Sequence, residues 1–178
     1  MKTALALILF SLSFSFSAYA QERPAQPGAE AACGPLGVNF DTETSTAQPP
    51  AQPEPGKALV YVAEDFTTVQ GSIGAITIKV GLDGAWMGAS HGSSYVFFQL
   101  DPGEHHLCIK WQSHLKRFSK LAAFARLTAE PGKTYYFRAR SMFSPQWATE
   151  YLDLDALDPD EGQYMVATSP LMASHPKK

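Results

Sequence analysis

Residues 94–111, with the sequence SYVFFQLDPGEHHLCIKW, decide the predicted fold of this chain. Aromatic and β-branched residues on both sides of the central DPGE suit a pleated, half-buried surface. Pro102 presets φ for the second position of a tight turn, and Gly103 accepts the positive φ that a type II turn requires at the third. The stretch therefore predicts two strands joined by a tight turn into a hairpin.

The same signal occurs twice more in the chain. An EPGK sequence at residues 54–57 precedes the apolar run 58–62, and a second at residues 130–133 precedes the run 134–138. Asp83-Gly84 adds a strong hairpin signal between two further runs. An acidic residue, then Pro-Gly, then a strand is typical of a small antiparallel β-domain.

Apolar runs and alternating apolar patterns beside these turns predict the remaining strands, which cover residues 57–63, 76–80, 85–88, 121–127, 134–142 and 149–154. A helix is predicted to begin at Asp158, because Asp is a good N-cap, Pro159 suits the first helical position and acids follow. Pro170 ends this helix. The chain is thus predicted to be mainly β, an immunoglobulin-like antiparallel β-sandwich of seven or eight short strands with one short C-terminal helix.

The start of the chain has the pattern of an export signal. A lysine at position 2 precedes an apolar run over residues 4–16, and Ala18-Tyr19-Ala20 has the small residues of a cleavage site. A retained membrane anchor is the alternative, but the run is short for a spanning helix. We therefore expect a signal peptide at 1–20 and a periplasmic or extracellular protein, with no transmembrane segment after its removal.

The rest of the chain divides by composition. Residues 21–55 are rich in proline and predict a flexible segment with a docked region around Cys33, in which Leu36, Val38 and Phe40 alternate as in an edge strand. Residues 56–172 form the predicted sandwich, and residues 173–178 a disordered tail.

Charge argues against nucleic acid as a partner. The full sequence carries a net charge of −3, and loss of residues 1–20 removes one lysine and no acid. Nucleic-acid binding requires a basic patch or stripe. The nearest feature, formed by Lys110, Lys116, Arg117 and Lys120, is interpreted as a solvated loop.

Cys33 and Cys108 are the 2 cysteines of the chain. In an exported protein such a pair predicts a disulfide, here one that pins the leading segment to a sheet strand. On the chain-entropy model, closing a loop of about 75 residues is worth about 4 kcal/mol. Lipidation of Cys33 is the alternative, which we reject because Glu30 stands where an apolar residue is expected.

Several short motifs of this chain resemble, in their order and spacing, the bacterial domain of unknown function DUF2846. They are GKALVYV at 56–62, LDG at 82–84 with Gly88, Tyr95, PGEH at 102–105, GKTYYFR at 132–138 and DEG at 160–162. The central part is also similar to PEGA-type surface domains. The resemblance implies an exported, PEGA-like β-sandwich and transfers no catalytic residue. Members are often lipoproteins, whereas this chain lacks a lipobox.

Candidate chemistry is sparse. His105 and His106 are adjacent on a predicted strand and must point to opposite faces. The sequence predicts no catalytic residue, cofactor or metal ligand. An exported hydrolase or metal-binding protein that uses His91, Glu104 and His105 remains as the alternative hypothesis, although their spacing matches no zinc pattern.

Aromatic residues offer one binding hypothesis. Trp147, Tyr136 and Trp86 could form a platform for a sugar or a peptide, while packing in the core is the ordinary role of such side chains. The function predicted from the sequence is a non-enzymatic, extracytoplasmic β-sandwich module of the cell envelope. Its partner would be an envelope protein or a glycan, and its oligomeric state is left open.

Overall fold

The computed structural model describes residues 32–65, 76–144 and 149–178. Ten strands and two helices are defined in these ranges. They are β1 (Phe40–Thr44), β2 (Ala58–Asp65), β3 (Thr77–Leu82), β4 (Ala85–His91), β5 (Tyr95–Leu100), β6 (Gly103–Trp111), α1 (Lys116–Ser119), β7 (Ala122–Ala129), β8 (Thr134–Ser144), β9 (Thr149–Ala156), α2 (Pro159–Thr168) and β10 (Met172–Pro176).

Eight of the strands form two four-stranded sheets that pack face to face. Sheet I has the order β5-β2-β8-β9 and sheet II the order β4-β3-β6-β7. Apolar side chains from both sheets fill the space between them. They include Val60, Val62, Val96, Phe98 and Phe137 from sheet I, and Ile78, Val80, Leu107, Ile109 and Leu127 from sheet II. The predicted mainly-β sandwich with a short C-terminal helix is confirmed.

One strand pair in sheet I is parallel, so the prediction of a wholly antiparallel fold is wrong there. Strands β2 and β8 run side by side from Leu59↔Thr134 to Asp65↔Arg140. Both follow an EPGK turn with a glycine in the left-handed region, at φ 79° for Gly56 and 76° for Gly132. The Gly132 N–H donates to the Lys57 carbonyl at 2.8 Å, which ties the two turns together. Equivalent turns thus start the two strands at the same level.

The stretch at 94–111 is not a hairpin, although both of its strands exist. Strand β5 belongs to sheet I and β6 to sheet II, so the chain crosses between the sheets at residues 101–103. Leu100 and Leu107 both contribute to the core between the sheets. Gly103 has φ 140°, well beyond the value of about 80° that a type II turn has at this position. Each strand finds its partner elsewhere, β5 with β2 and β6 with β3 and β7.

The Asp-Gly signal, by contrast, produces the hairpin it predicts. Asp83 and Gly84 have φ values of 49° and 88°, the two positive angles of a type I′ turn. Strands β3 and β4 pair antiparallel on either side of this turn.

Helix α2 covers the outer face of sheet I. Its cap follows the prediction, since the Asp158 side chain accepts from the Asp160 N–H at 2.9 Å and Pro159 is the first helical residue. Beneath the helix, the rings of Tyr61 and Tyr136 stack with centroids 5.3 Å apart. They belong to a second apolar cluster, which is separate from the core between the sheets.

Two strands outside the sandwich form a ribbon, β1 paired antiparallel with β10. The Ser174 hydroxyl accepts from the Ala89 N–H at 3.0 Å, which joins the ribbon to the edge of sheet II. The expected disordered tail at 173–178 is therefore wrong for residues 173–176. The edge strand expected around Leu36 begins instead at Phe40. Of the helices described here, none has the length and apolarity needed to cross a membrane.

Candidate functional site

The disulfide between Cys33 and Cys108 joins the leading segment to sheet II, with Cα atoms 5.2 Å apart. Leu107 and Ile109 point into the core, so the alternation of the strand directs Cys108 to the outer face of the sheet. The predicted disulfide is confirmed. It holds residues 33–39, here named the clamped segment, across the outer surface of sheet II.

Two side chains of sheet II reinforce this attachment. The Trp86 Nε1–H donates to the carbonyl of Pro35 at 2.9 Å, and the Lys79 ammonium donates to the carbonyl of Val38 at 2.6 Å. Lys79 Nζ also lies 4.3 Å from the centroid of the Trp86 ring, a cation–π geometry. The two hydrogen bonds give the carbonyls of Pro35 and Val38 protein partners, although the segment pairs with no strand.

Glycines make the close approach possible. A Cβ built on Gly34 would lie 2.4 Å from Cδ1 of Trp86, and one on Gly81 would lie 2.9 Å from the carbonyl oxygen of Ala32. Further along, the Gln112 amide acts like a strand partner of Phe40. It accepts from the Phe40 N–H at 2.6 Å and donates to the Phe40 carbonyl at 2.8 Å.

A groove runs between the clamped segment and strands β6 and β7, and we name it the lysine groove. It consists of a cavity of about 710 Å³ and a smaller one of about 230 Å³, both lined by Leu36 and Lys110. Lys120 and Phe124 line the larger cavity, while Lys79 lines the smaller. A volume of this order is typical of sites for small molecules.

The lysine groove is basic and carries no compensating acid among the described residues that line it. Lys79 and Lys110 are direct cross-strand partners. Burial lowers the pKa of Lys79, and the nearby charge of Lys110 lowers it further. Asp83, the acid that precedes the lining residue Gly84, has partners of its own: its carboxylate accepts from the His106 N–H at 2.8 Å and bonds to the His105 ring. Lys110 lies on β6, as the predicted strand over this stretch requires, so the interpretation of the basic cluster as a solvated loop does not hold for this residue.

The residues of the hydrolase or metal hypothesis do not meet. His91 pairs with Thr77 at the first residue of β3, whereas His105 lies beside Asp83, just past the last. The six residue steps from Thr77 to Asp83, at about 3.3 Å each, put them roughly 20 Å apart along the sheet. Glu104 is exposed beside His105 at the start of β6. In the described part of the chain, no group of three or more His, Cys, Asp and Glu side chains is arranged to hold a metal ion.

His105 has a structural role in its position. Its Nδ1 lies 2.6 Å from the Asp83 carboxylate and its Nε2 lies 2.8 Å from the Asp101 carbonyl. Burial opposes the charged ring, but these two hydrogen bonds and the nearby negative charges outweigh it and raise the His105 pKa. The His105 ring thereby joins the β3–β4 turn to the crossing between the sheets.

The predicted aromatic platform is not assembled. Trp86 lies on the outer face of sheet II, beneath the clamped segment. Tyr136 lies on the outer face of sheet I, beneath α2. Opposite faces of a sandwich cannot hold one flat ligand, so this prediction is wrong for Trp86 and Tyr136. Trp147 lies outside the described residues.

Sequence reasoning missed Glu64, which is only 1% exposed. It follows Val60 and Val62 at the same period of two, and this spacing could have predicted that it points into the sandwich. The Ser90 hydroxyl donates to Glu64 Oε2 at 2.8 Å, and Oε1 has no partner among the described residues. Burial raises the Glu64 pKa to about 8, against the opposing effects of the Ser90 hydroxyl and of the Gly92 backbone.

Searches of protein-family models, of curated proteins and of solved structures give no match to this chain. The similarity to DUF2846 and PEGA-type domains therefore rests on the motifs quoted above.

Proposed function

We propose that this protein is a non-enzymatic, extracytoplasmic β-sandwich module of the cell envelope that acts by binding. The observation that carries the proposal is the clamped segment. A covalent bond and several hydrogen bonds hold seven residues away from the core, where they contribute one wall of the lysine groove. A segment fixed in this way serves as the rim of a site more readily than as part of the hydrophobic core.

Export is supported by the signal-peptide pattern together with the disulfide. Disulfides persist in oxidising compartments and are rare in the cytosol. The family resemblance to exported DUF2846 domains belongs to the same proposal, as does the location at the cell envelope.

Binding rather than catalysis is supported by the distribution of reactive groups. His91 and His105 lie at opposite ends of sheet II, so one substrate cannot contact both. The Ser90–Glu64 pair is sealed from solvent, with each residue 1% exposed, so its hydroxyl has no access to a substrate. The lysine groove, by contrast, is open to solvent and lined by positive charge.

Expression of the full chain in a bacterial host, followed by fractionation and intact-mass measurement, tests the export part of the proposal. We expect protein that begins at Gln21, is found outside the cytoplasm and has the mass of a chain with Cys33 and Cys108 linked. An uncleaved cytoplasmic chain with two free thiols would contradict it.

Enrichment of envelope material on the immobilised mature protein tests binding. We expect specific capture that is lost when Lys110 and Lys120 are both changed to Gln, a change confined to the lysine groove. Capture that is equal for both proteins would contradict a role for this groove.

A further inference from the structure

We propose that the lysine groove binds a single-chain amphiphilic anion, with a phosphate or carboxylate head between Lys110 and Lys120 and an apolar tail along Leu36 and Phe124. This inference rests on the proposed binding function and names the class of ligand.

The charge of the groove favours an anionic ligand. Lys79 and Lys110 face each other directly across neighbouring strands, an arrangement of like charges that destabilises a sheet. Among the described residues, neither Lys110 nor Lys120 forms a salt bridge with an acid. Lys79 is already engaged with the Val38 carbonyl and the Trp86 ring, which leaves Lys110 and Lys120 to hold the head group. Two ammonium groups are a suitable site for phosphate or carboxylate oxygens.

The apolar wall explains why the anion should carry a tail. Leu36 is 85% exposed and Phe124 is 43% exposed, and both line the larger cavity. Leu36 belongs to the clamped segment, so its exposure is imposed by the disulfide attachment and is not that of a loose terminus. Ala122 adds a small apolar residue to the same lining. Inorganic phosphate would leave this surface in water, whereas an alkyl chain would cover it.

The size of the groove favours a free amphiphile over a bilayer or a polymer. A cavity of about 710 Å³ matches a small molecule, and its walls are fixed by the disulfide before any ligand arrives. A preformed site of this kind loses little conformational entropy on binding.

Calorimetric titration of the oxidised mature protein tests the inference, with dodecyl phosphate, below its micelle concentration, as the probe. We expect one molecule to bind, and affinity to rise by about fourfold for each methylene added between octyl and dodecyl phosphate. Inorganic phosphate, which has the head charge without the tail, and dodecyltrimethylammonium, which has the tail with a cationic head, should each bind at least about tenfold more weakly.

Variants locate the site. Lys110→Gln combined with Lys120→Gln should weaken dodecyl phosphate binding by about tenfold or more, as should Leu36→Ser combined with Phe124→Ser. Lys57→Gln combined with Lys133→Gln is the control, because it also removes two positive charges but does so at the EPGK turns, away from the groove. It should leave the affinity for dodecyl phosphate unchanged. Circular dichroism and thermal unfolding check that all three proteins are folded.

Several outcomes would overturn the inference. They are equal binding of the cationic amphiphile, equal binding of inorganic phosphate, unchanged affinity in both groove variants, and binding to anionic vesicles without binding to the monomeric amphiphile. An exported, oxidised protein that captures envelope material through the groove but binds no alkyl phosphate would overturn the ligand class alone. An unexported chain with free thiols would overturn the proposed function instead.

Discussion

Glu64 is the residue whose surroundings depart most from what its chemistry favours. It occupies the core-facing side of β2 and has one oxygen without a partner among the described residues. Burial raises the pKa of its carboxyl to about 8. In the unfolded chain the carboxyl ionises at its ordinary pKa of 4.5. Between these two values the folded state binds the extra proton, so stability must fall as pH rises through this window.

Glu64→Gln removes this dependence while keeping a neutral side chain of similar size. The difference in free energy of unfolding between the variant and the original protein should shift in favour of the variant by on the order of 3–5 kcal/mol as the pH is raised from about 4 to about 9. Urea unfolding of both proteins at the two pH values measures this. The exposed variant Glu104→Gln serves as control. A gap between Glu64→Gln and the original protein that does not change with pH would contradict the buried, protonated state.

Gly162 marks the closest approach of α2 to sheet I. A Cβ at this position would lie 2.2 Å from Cγ of Tyr136, whose ring is held by stacking on Tyr61. Replacing glycine by alanine inside an exposed helix usually stabilises by up to about 1 kcal/mol. Here the extra methyl would push the helix away from the ring.

Gly162→Ala is therefore expected to destabilise the protein by about 1–3 kcal/mol, the range for an overpacked contact. Thermal or urea unfolding measures the change. Gln163→Ala, on an exposed position of the same helix, should have little effect. A higher melting temperature for Gly162→Ala would show that the helix does not pack as closely as described.

Residue-level chemistry was predictable where a short sequence fully determines a local geometry. Asp83-Gly84 encodes a type I′ turn, and Asp158-Pro159 encodes a helix start, because caps and turns depend on φ and on neighbouring N–H groups. Gly103 shows the limit of such reasoning. Its freedom in φ allows the chain to reverse, but it does not specify which sheet the next strand joins.

At the scale of elements, the disulfide is the covalent link between the clamped segment and sheet II, and it acts together with the hydrogen bonds from Trp86 and Lys79. Cys33 and Cys108 are separated by 75 residues in sequence. Replacing both by serine should lower the free energy of unfolding by about 4 kcal/mol on the chain-entropy model. Urea unfolding of the oxidised protein and the double variant measures the loss. Equal stability of the two proteins would mean that the disulfide adds nothing to the stability of the folded state.

The pairing of β1 with β10 predicts how β1 responds when β10 is removed. Removal of residues 172–178 deletes the hydrogen-bonding partner of β1 and the Ser174 contact to Ala89. The amides of β1 should then exchange with solvent at least about tenfold faster, while those of β2 and β8 remain protected, because local opening is decoupled from the sandwich. Unchanged exchange in β1 would contradict the pairing.

Pairing between strands was less predictable than the strands themselves. A continuous apolar run located β2, and alternating patterns located strands such as β3 and β8 because alternation records which face is buried. It carries no information about partners, so the parallel neighbours β2 and β8 and the crossing from β5 to β6 were not foreseen. The tail was missed for the same reason, since β10 is short and takes its order from its pairing with β1 and its contact with the edge of sheet II.

At the scale of the whole molecule, different elements cover the two outer faces of the sandwich. Helix α2 covers part of sheet I with an aromatic cluster, whereas sheet II carries the clamped segment and the lysine groove. The sequence predicted the disulfide that creates this difference. It could not predict the groove, because Leu36, Lys110 and Phe124 are distant in sequence and meet only through the pairing of the sheet and the bond at Cys108.

The central claim is that the disulfide builds the binding groove by fixing the clamped segment against sheet II. The most direct test is the affinity for dodecyl phosphate of the Cys33→Ser, Cys108→Ser double variant, measured under conditions in which circular dichroism shows intact sheets. Release of the segment should weaken binding by about tenfold or more relative to the oxidised protein. An affinity equal to that of the oxidised protein would contradict the claim.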